Sequence, residues 1–461
     1  MVWKQLSPES AHVAYLLLGG FTCVFFLLSN YLKESLYLGE AIISFIYGLI
    51  IGPHSLNWFN PIKWGNLDII TLEISRVVLC LQIFISAVEL PKKYMLNHGI
   101  SVFMVLLPTM AIGWLIMALF MWFLLPGFSF PAALVVSGTI TATDPVLAAA
   151  VVKGKFAETV PERIRFLISS ESGCNDGMVF PFIFLGVNLI IHAGEAGVIV
   201  KDWICITLLY QCVLGSFIGG VVGFCFRKAI QFAKRKELID RDSFLGYATL
   251  VSLFCVGLGS TLGVDELLVS FAAGNAFGWD GWHIRETEDS FVDSVFDLIV
   301  NLLYFVYLGA IMPWEYFNKV ELGLNVWRLV VLGITLIFLR RVPIVLAFKR
   351  FIPDIQTWGE AWFTGHFGPI GVGSVYSVML ARSALEGAYT TQETPLATLP
   401  GPDHPQYHLI VTMWPLVSFL VLVSIIVHGL SVCFIILYER FGPKWTNKEP
   451  LDKEQTLDES I

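Results

Sequence analysis

Charge is what this sequence has least of. Asp, Glu, Lys and Arg make up 14% of its 461 residues, where a soluble domain carries about 25%. Hydrophobic side chains supply 56%, too much for a chain that folds in water. Metal-type cysteine spacing is also missing. None of the eight cysteines stands in a C-x-x-C pair, and Cys80, Cys205 and Cys255 lie inside apolar runs. They read as packing thiols, which excludes a disulfide framework or a cysteine metal site. No Gly-x-x-x-x-Gly-Lys run is present to cradle a nucleotide phosphate. Alternation of apolar and polar residues is absent, which removes a membrane β-barrel. The first apolar run has no A-x-A-like cleavage site and is expected to remain as a helix.

What is there is length in apolar stretches. A bilayer core needs about 20 such residues per helix, and thirteen stretches approach that: 11–31, 37–53, 70–90, 99–125, 129–152, 164–192, 204–226, 244–263, 266–279, 291–312, 326–348, 360–384 and 408–438. The ninth is short and reads as tilted or re-entrant. The fold expected is an all-α polytopic membrane protein, a single domain over 1–439 with a short disordered tail at 440–461. Lys and Arg set its orientation. Thirteen crossings put twenty basic residues, among them Lys153 and Lys155, on the side of the tail. Only Lys4, Lys63, Arg76, Lys201, Lys319, Arg328 and Arg382 fall on the other. That asymmetry predicts a cytosolic C-terminus and an outer N-terminus.

Ionisable residues inside such stretches are costly and mark function. Asp144 stands in the fifth, in Gly138-Thr-Ile-Thr-Ala-Thr-Asp-Pro145. Pro145 breaks the helix there, and three threonines offer hydroxyls to the freed backbone. Exposed oxygens at such a break suit a hard cation; the plainer reading is a proline kink capped by Asp144. The sixth stretch holds Ser169-Ser-Glu-Ser-Gly-Cys-Asn-Asp-Gly177. Ser172 and Asp176, four apart, share one helix face and form half a shell for Na⁺; an interhelical polar zipper is the alternative. The twelfth is interrupted by Gly365-His-Phe-Gly-Pro-Ile-Gly-Val-Gly373. Two broken helices, near 138–146 and 365–374, are the sequence mark of a transporter site between inverted repeats. His366 beside the second break is either a proton relay or a neutral histidine bonded to a backbone carbonyl. Of Arg340 and Arg341 in the eleventh stretch, one is expected to snorkel to the cytosolic surface and the other to neutralise Glu171. Glu89 reads as a pathway carboxylate or as an interfacial residue beside Lys92. Asp265 and Glu266 read as an outer hairpin between the eighth and ninth stretches or as pathway carboxylates.

The segments GTITATDPVLAAAVV, ISSESGCNDGMVFPF and GHFGPIGVGSVYSVMLAR, with PERIRFL and FIPDIQTW, resemble the fungal plasma-membrane Na⁺/H⁺ antiporters of the monovalent cation/proton antiporter superfamily. The likeness runs over roughly residues 10–440. It implies thirteen helices in two inverted repeats, a dimerisation part, and a core part that moves across it. It implies that Asp176, beside Asn175, binds cation or proton, with Thr143, Asp144 and Ser172 completing or supporting a Na⁺ site. Glu171 would pair with an arginine of the eleventh stretch; the family's R-x-x-x-V spacing points to Arg341, with Arg340 the fallback. The ligands implied are Na⁺, Li⁺ and H⁺, with K⁺ open, in a plasma-membrane homodimer serving ion efflux and pH homeostasis. Neither a cofactor nor a nucleic acid is implied. The short tail departs from the longer fungal members.

Chemistry then follows from one acid. Burial disfavours the charged form of Asp176, so it carries either a proton or a cation, and each crossing moves one or the other. With asparagine at 175, one-for-one electroneutral exchange is the simplest stoichiometry. Two rivals remain. An intramembrane aspartyl protease would use Asp144 and Asp176 as a dyad sharing a proton. A channel would show flux that neither saturates nor reverses with the pH gradient.

Overall fold

The computed structural model describes residues 9–152, 156–287 and 292–441. Of the expected tail at 440–461, the first two residues end the last helix, while 442–461, Lys4, Lys153 and Lys155 lie outside the described residues. Within them the chain is helical throughout, with no strand. Thirteen helices follow one another among the described residues: α1 Ser10–Asn30, α2 Glu40–Ile51, α3 Leu67–Val88, α4 Gly99–Leu124, α5 in two halves (α5a Phe130–Gly138, α5b Pro145–Val152), α6 in two halves (α6a Glu162–Asn175, α6b Val179–Ile191), α7 Ala196–Arg235, α8 Arg241–Leu262, α9 Glu266–Gly278, α10 Val292–Ala310, α11 Val326–Phe338 continued by Val342–Phe348, α12 in two halves (α12a Trp358–His366, α12b Val372–Gly387), and α13 Tyr407–Phe441. Eight spans among the described residues are long and apolar enough to cross a bilayer by length and composition.

Starts and stops follow local chemistry. Asn66 accepts from the amides of Asp68 and Ile69 at the head of α3, Ser129 from Ala132 at α5a, and Asp240 from Ser243 at α8. Thr357 and Glu360 form a reciprocal capping box at α12a. Each satisfies amide donors that a helix start leaves over. Pro108 lies inside α4, where the turns over Val105–Thr109 widen to accommodate the missing donor.

Packing sorts the helices into two groups. In the first, α1, α2, α3, α7, α8, α9 and α10 touch chiefly one another; in the second, α4, α5, α6, α11, α12 and α13 do. Small residues set the spacing. A Cβ on Gly48 would strike the Val306 backbone across α2 and α10, and one on Gly223 would strike Ala273 across α7 and α9. Such close approach is how helices associate where lipid offers no hydrophobic drive. The ninth helix, expected as tilted or re-entrant, is a 13-residue helix with ten residues buried. Helices α3, α7 and α8 surround it, so protein rather than lipid meets much of its surface.

The second group contains α4–α5–α6 and α11–α12–α13, each with a broken middle member. Their breaks meet: the Asp144 amide donates to the Pro369 carbonyl at 2.8 Å.

Candidate functional site

Breaking two helices inside a bundle frees four helix ends, and the sequence deals with each. Asp144 serves both new N-termini. Its Oδ1 accepts from the Leu147 amide of α5b at 2.9 Å, and its Oδ2 from the Val372 amide of α12b at 2.6 Å. A carboxylate there also meets the positive ends of both helix dipoles. The ends of α5a and α12a fall to Arg340. Its guanidinium donates to the carbonyls of Ile140 at 2.7 Å and Thr141 at 3.2 Å, and to that of Gly368. Neither snorkelling nor pairing with Glu171, the two roles expected for it, is what Arg340 does. It is buried where the carbonyls of Ile140, Thr141, Ala142 and Gly368 crowd the crossing and need a donor. Thr139 and Thr141 turn their hydroxyls back onto the carbonyls of Val136 and Gly138, as the local sequence suggested.

The glycines of the second break have a steric reason. A Cβ on Gly371 would overlap the Asp144 carboxylate, one on Gly368 the Arg341 guanidinium, and one on Gly373 the Asp176 carboxylate. The α12 break is therefore shaped around three charged side chains.

Asp176 lies at the interruption of α6, between Asn175 and Val179. It is 1% exposed, and neither carboxylate oxygen has a hydrogen-bond partner among the described residues. Its neighbours are committed to one another. Asn175 donates through Nδ2 to the Thr143 hydroxyl at 2.8 Å and accepts the Thr143 amide at 3.2 Å. Thr143 and Ser172 share a hydroxyl contact of 3.0 Å. The five expected site residues thus come together at the crossing, with only the Asp176 oxygens unused. An unpaired buried carboxylate is far too costly to stay charged alone. Asp144, with both oxygens already accepting amides, is not arranged to share a proton with it, and a protease dyad is not built here.

Residues 21–437 fit the model of the sodium/hydrogen exchanger transmembrane family. The chain belongs to that family. It is 53% identical over 437 residues to Na(+)/H(+) antiporter 2 of Zygosaccharomyces rouxii, covering 95% of this chain and 54% of that protein. It is 54% identical to the Na(+)/H(+) antiporter of Saccharomyces cerevisiae, covering 95% of this chain and 44% of that one. The chain thus spans about half the length of these two relatives. To the Na(+)/H(+) antiporter of Schizosaccharomyces pombe it is 38% identical, covering 99% of this chain and 97% of that protein. The fold resembles that of the sodium proton antiporter MjNhaP1 from Methanocaldococcus jannaschii, with a TM-score of 0.63 at 18% identity, covering 94% and 99% of the two chains.

Around Asp176 the remaining expected residues take various places. Glu171 and Arg341 form the expected pair, both buried; one guanidinium nitrogen meets Oε1, the other meets Oε2 at 3.1 Å and also the Thr364 carbonyl at 3.0 Å. Asp265 and Glu266, expected in an outer hairpin, are buried. Asp265 caps α9 through the amides of Leu267 and Leu268, both at 3.0 Å. Glu266 accepts from Arg76 Nε and from the Tyr376 hydroxyl, each at 2.7 Å. Arg76 and Arg382, taken as connector charges, sit inside α3 and α12b; Arg382 binds Asp68 at 2.9 Å and Glu386 at 2.8 Å. Apolar flanks on both sides of each arginine were the available signal. His366 bonds the Ser431 hydroxyl at 3.0 Å, while His428, which sequence reasoning missed, lies 5.3 Å away ring to ring and bonds the His366 carbonyl. Glu89 lines a cavity of 520 Å³ between the two helix groups, which Ser172 and Pro145 also line.

Proposed function

We propose that this chain is a secondary antiporter that exchanges Na⁺ or Li⁺ for H⁺ by alternating access, and not an enzyme. The observation that carries the reading is Asp176: a buried carboxylate at the break of α6, facing Gly373, with both oxygens uncommitted. Proton and cation compete for those two oxygens, so each crossing moves one of them. The antiport for which the relatives are named agrees with this chemistry. Asn175, Thr143 and Ser172 hold Asp176 in place, and Ser172 offers a hydroxyl on the cavity side. Asp144 and Arg340 neutralise the helix ends so that the only variable charge at the crossing is that of Asp176. With a neutral amide at 175, exchange is one for one and moves no net charge.

The cavity reaches the bundle end that carries Lys33 and Glu89, the side rich in Lys and Arg, which we assign to the cytosol. Opposite it, Arg382–Asp68 and Tyr376–Glu266 tie α12b to the first helix group, directly at α3 and through α9. An inward-open state closed on its outer face is the reading these contacts support. We place the protein in the plasma membrane as a homodimer, serving sodium and lithium efflux and pH homeostasis.

The experiment is cation-driven proton movement in proteoliposomes. Vesicles loaded with an acidic buffer and a pH dye should alkalinise on external NaCl or LiCl, saturably, and the sign should reverse when the gradients are exchanged. Flux that rises linearly with salt and ignores the pH gradient would point to a channel instead.

A further inference from the structure

The cavity has a floor, and the floor is a pair of amides. Along α3, Gln82, Ser86 and Glu89 fall one turn apart on a single face, and all three line the cavity. Across from them α6a presents Ser169 and Ser172, and α10 presents Asp297 and Asn301. Going inward from Glu89, the first cross-link is Ser86 to Ser169, hydroxyl to hydroxyl at 3.2 Å. One turn deeper, Gln82 donates through Nε2 to the side-chain oxygen Oδ1 of Asn301. Beyond that pair α3 and α10 close on each other: Ser75 meets the Tyr304 hydroxyl at 2.8 Å and Thr71 meets Tyr307 at 2.7 Å. The opening therefore ends at Gln82, Asn301 and Ser172, one turn of α6 from Asp176.

Gln82 and Asn301 are buried, 4% and 2% exposed, and Gln82 Oε1 has no partner among the described residues. A buried amide with an idle oxygen is expensive; a leucine pair would join α3 to α10 without that cost. The oxygens on the other wall are short in supply. Both Asp144 oxygens, Asn175 Oδ1 and the Thr143 hydroxyl are taken up at the helix crossing. A hard cation wants several oxygen ligands, and Asp176 supplies two.

We propose that Gln82, held in place by Asn301, is a specificity-determining residue of the exchange. Its amide oxygen replaces one water of an alkali cation arriving from the cavity on its way to Asp176. This rests on the antiport reading given above and adds a ligand from the opposite helix group. A neutral amide oxygen favours a cation and does nothing for a proton on Asp176. It therefore biases the competition towards cation, and more for small, strongly hydrated ions than for large ones.

The test uses the full chain in proteoliposomes, with NaCl, LiCl and KCl as probes. Gln82→Met keeps the volume and removes the oxygen. It should raise the KM for Na⁺ about tenfold, the worth of one lost contact to a charged group, and by the same factor at acidic and alkaline pH. The maximal rate should hold, and the preference for Na⁺ and Li⁺ over K⁺ should narrow. Gln82→Glu, which retains an oxygen, should not raise KM. If Gln82→Met does not fold, Gln82→Met with Asn301→Leu leaves neither amide unpaired and carries the same expectation. Folded variants with the wild-type KM and ion ranking, or with a lowered maximal rate at unchanged KM, overturn the assignment. Should the wild type itself move no protons with any of the three salts, the antiport reading falls first. If it does move them and the variants match it, only the role of Gln82 is lost.

Discussion

The pair Glu171 and Arg341 allows a number to be attached to one contact. Both side chains are buried, and their contact is two-pronged, one guanidinium nitrogen to each carboxylate oxygen. Removing one partner leaves a buried charge without compensation, which costs about 3–5 kcal/mol, whereas removing both is often close to neutral. The structure also ranks the two single changes. In Glu171→Gln the arginine keeps the Thr364 carbonyl and a side-chain oxygen to donate to, so its loss sits at or below the bottom of that range. Arg341→Ala strips Glu171 of both nitrogens and sits at the top. The double variant should recover most of the sum, a coupling well beyond the about 0.5 kcal/mol within which independent sites add. Thermal unfolding of purified protein in detergent, with yield from membranes as a second readout, measures the cycle. Arg340→Ala is the control. It uncovers the carbonyls of Ile140, Thr141 and Gly368, so Glu171→Gln should not rescue it. Losses that add for Glu171 and Arg341, or a rescue of Arg340→Ala, would refute the pairing argument.

Three further outcomes follow from the crossing. Asp144→Ala removes two helix caps at once and should cost about 2 kcal/mol by melting, at about 1 kcal/mol per cap; a loss confined to transport would mean that Asp144 serves the ion and not the helices. Gly373→Ala drives a methyl into the Asp176 carboxylate and should abolish cation-driven proton movement, while Gly220→Ala, whose Cβ meets nothing within 4 Å, should leave it unchanged. Asn175→Asp adds an acid beside Asp176, so exchange should either stop or carry charge; current from vesicles on solid supports reads this, and unchanged silent exchange would deprive Asn175 of its part in electroneutrality.

Much of this could be read from the sequence because lipid simplifies the problem. Thirteen apolar stretches become thirteen helices since, without the alternation of a barrel, no other backbone satisfies itself in a bilayer, and Pro145 and the glycines after 365 mark breaks that the fold retains. Pairing of Glu171 with an arginine was legible because a buried charge needs an opposite one. What stayed hidden were partners chosen across the fold. Asp144 looked like a cap for one helix because Pro145 is adjacent, whereas its second helix begins 228 residues later. Arg340 looked redundant because carbonyl ends carry no letter in a sequence. Asp265 and Glu266 looked like a surface turn because a short acidic break between apolar runs reads the same whether water or Arg76 answers it. Gln82 and Asn301 were passed over because a lone amide in a membrane helix draws less attention than a charge, although it faces the same demand for a partner.

The central claim is that one carboxylate alternates between proton and cation, and Asp176→Asn tests it most directly. Asparagine fills nearly the same volume, leaves the Asn175–Thr143–Ser172 contacts untouched, and can neither bind a proton at neutral pH nor compensate a cation. Purified wild type and Asp176→Asn, matched for melting temperature and reconstituted at equal density, should be given NaCl across an imposed pH gradient. The wild type should dissipate the gradient and the variant should leave it standing, for Na⁺ and Li⁺ alike. A folded Asp176→Asn protein that still dissipates the gradient on adding NaCl would contradict the account.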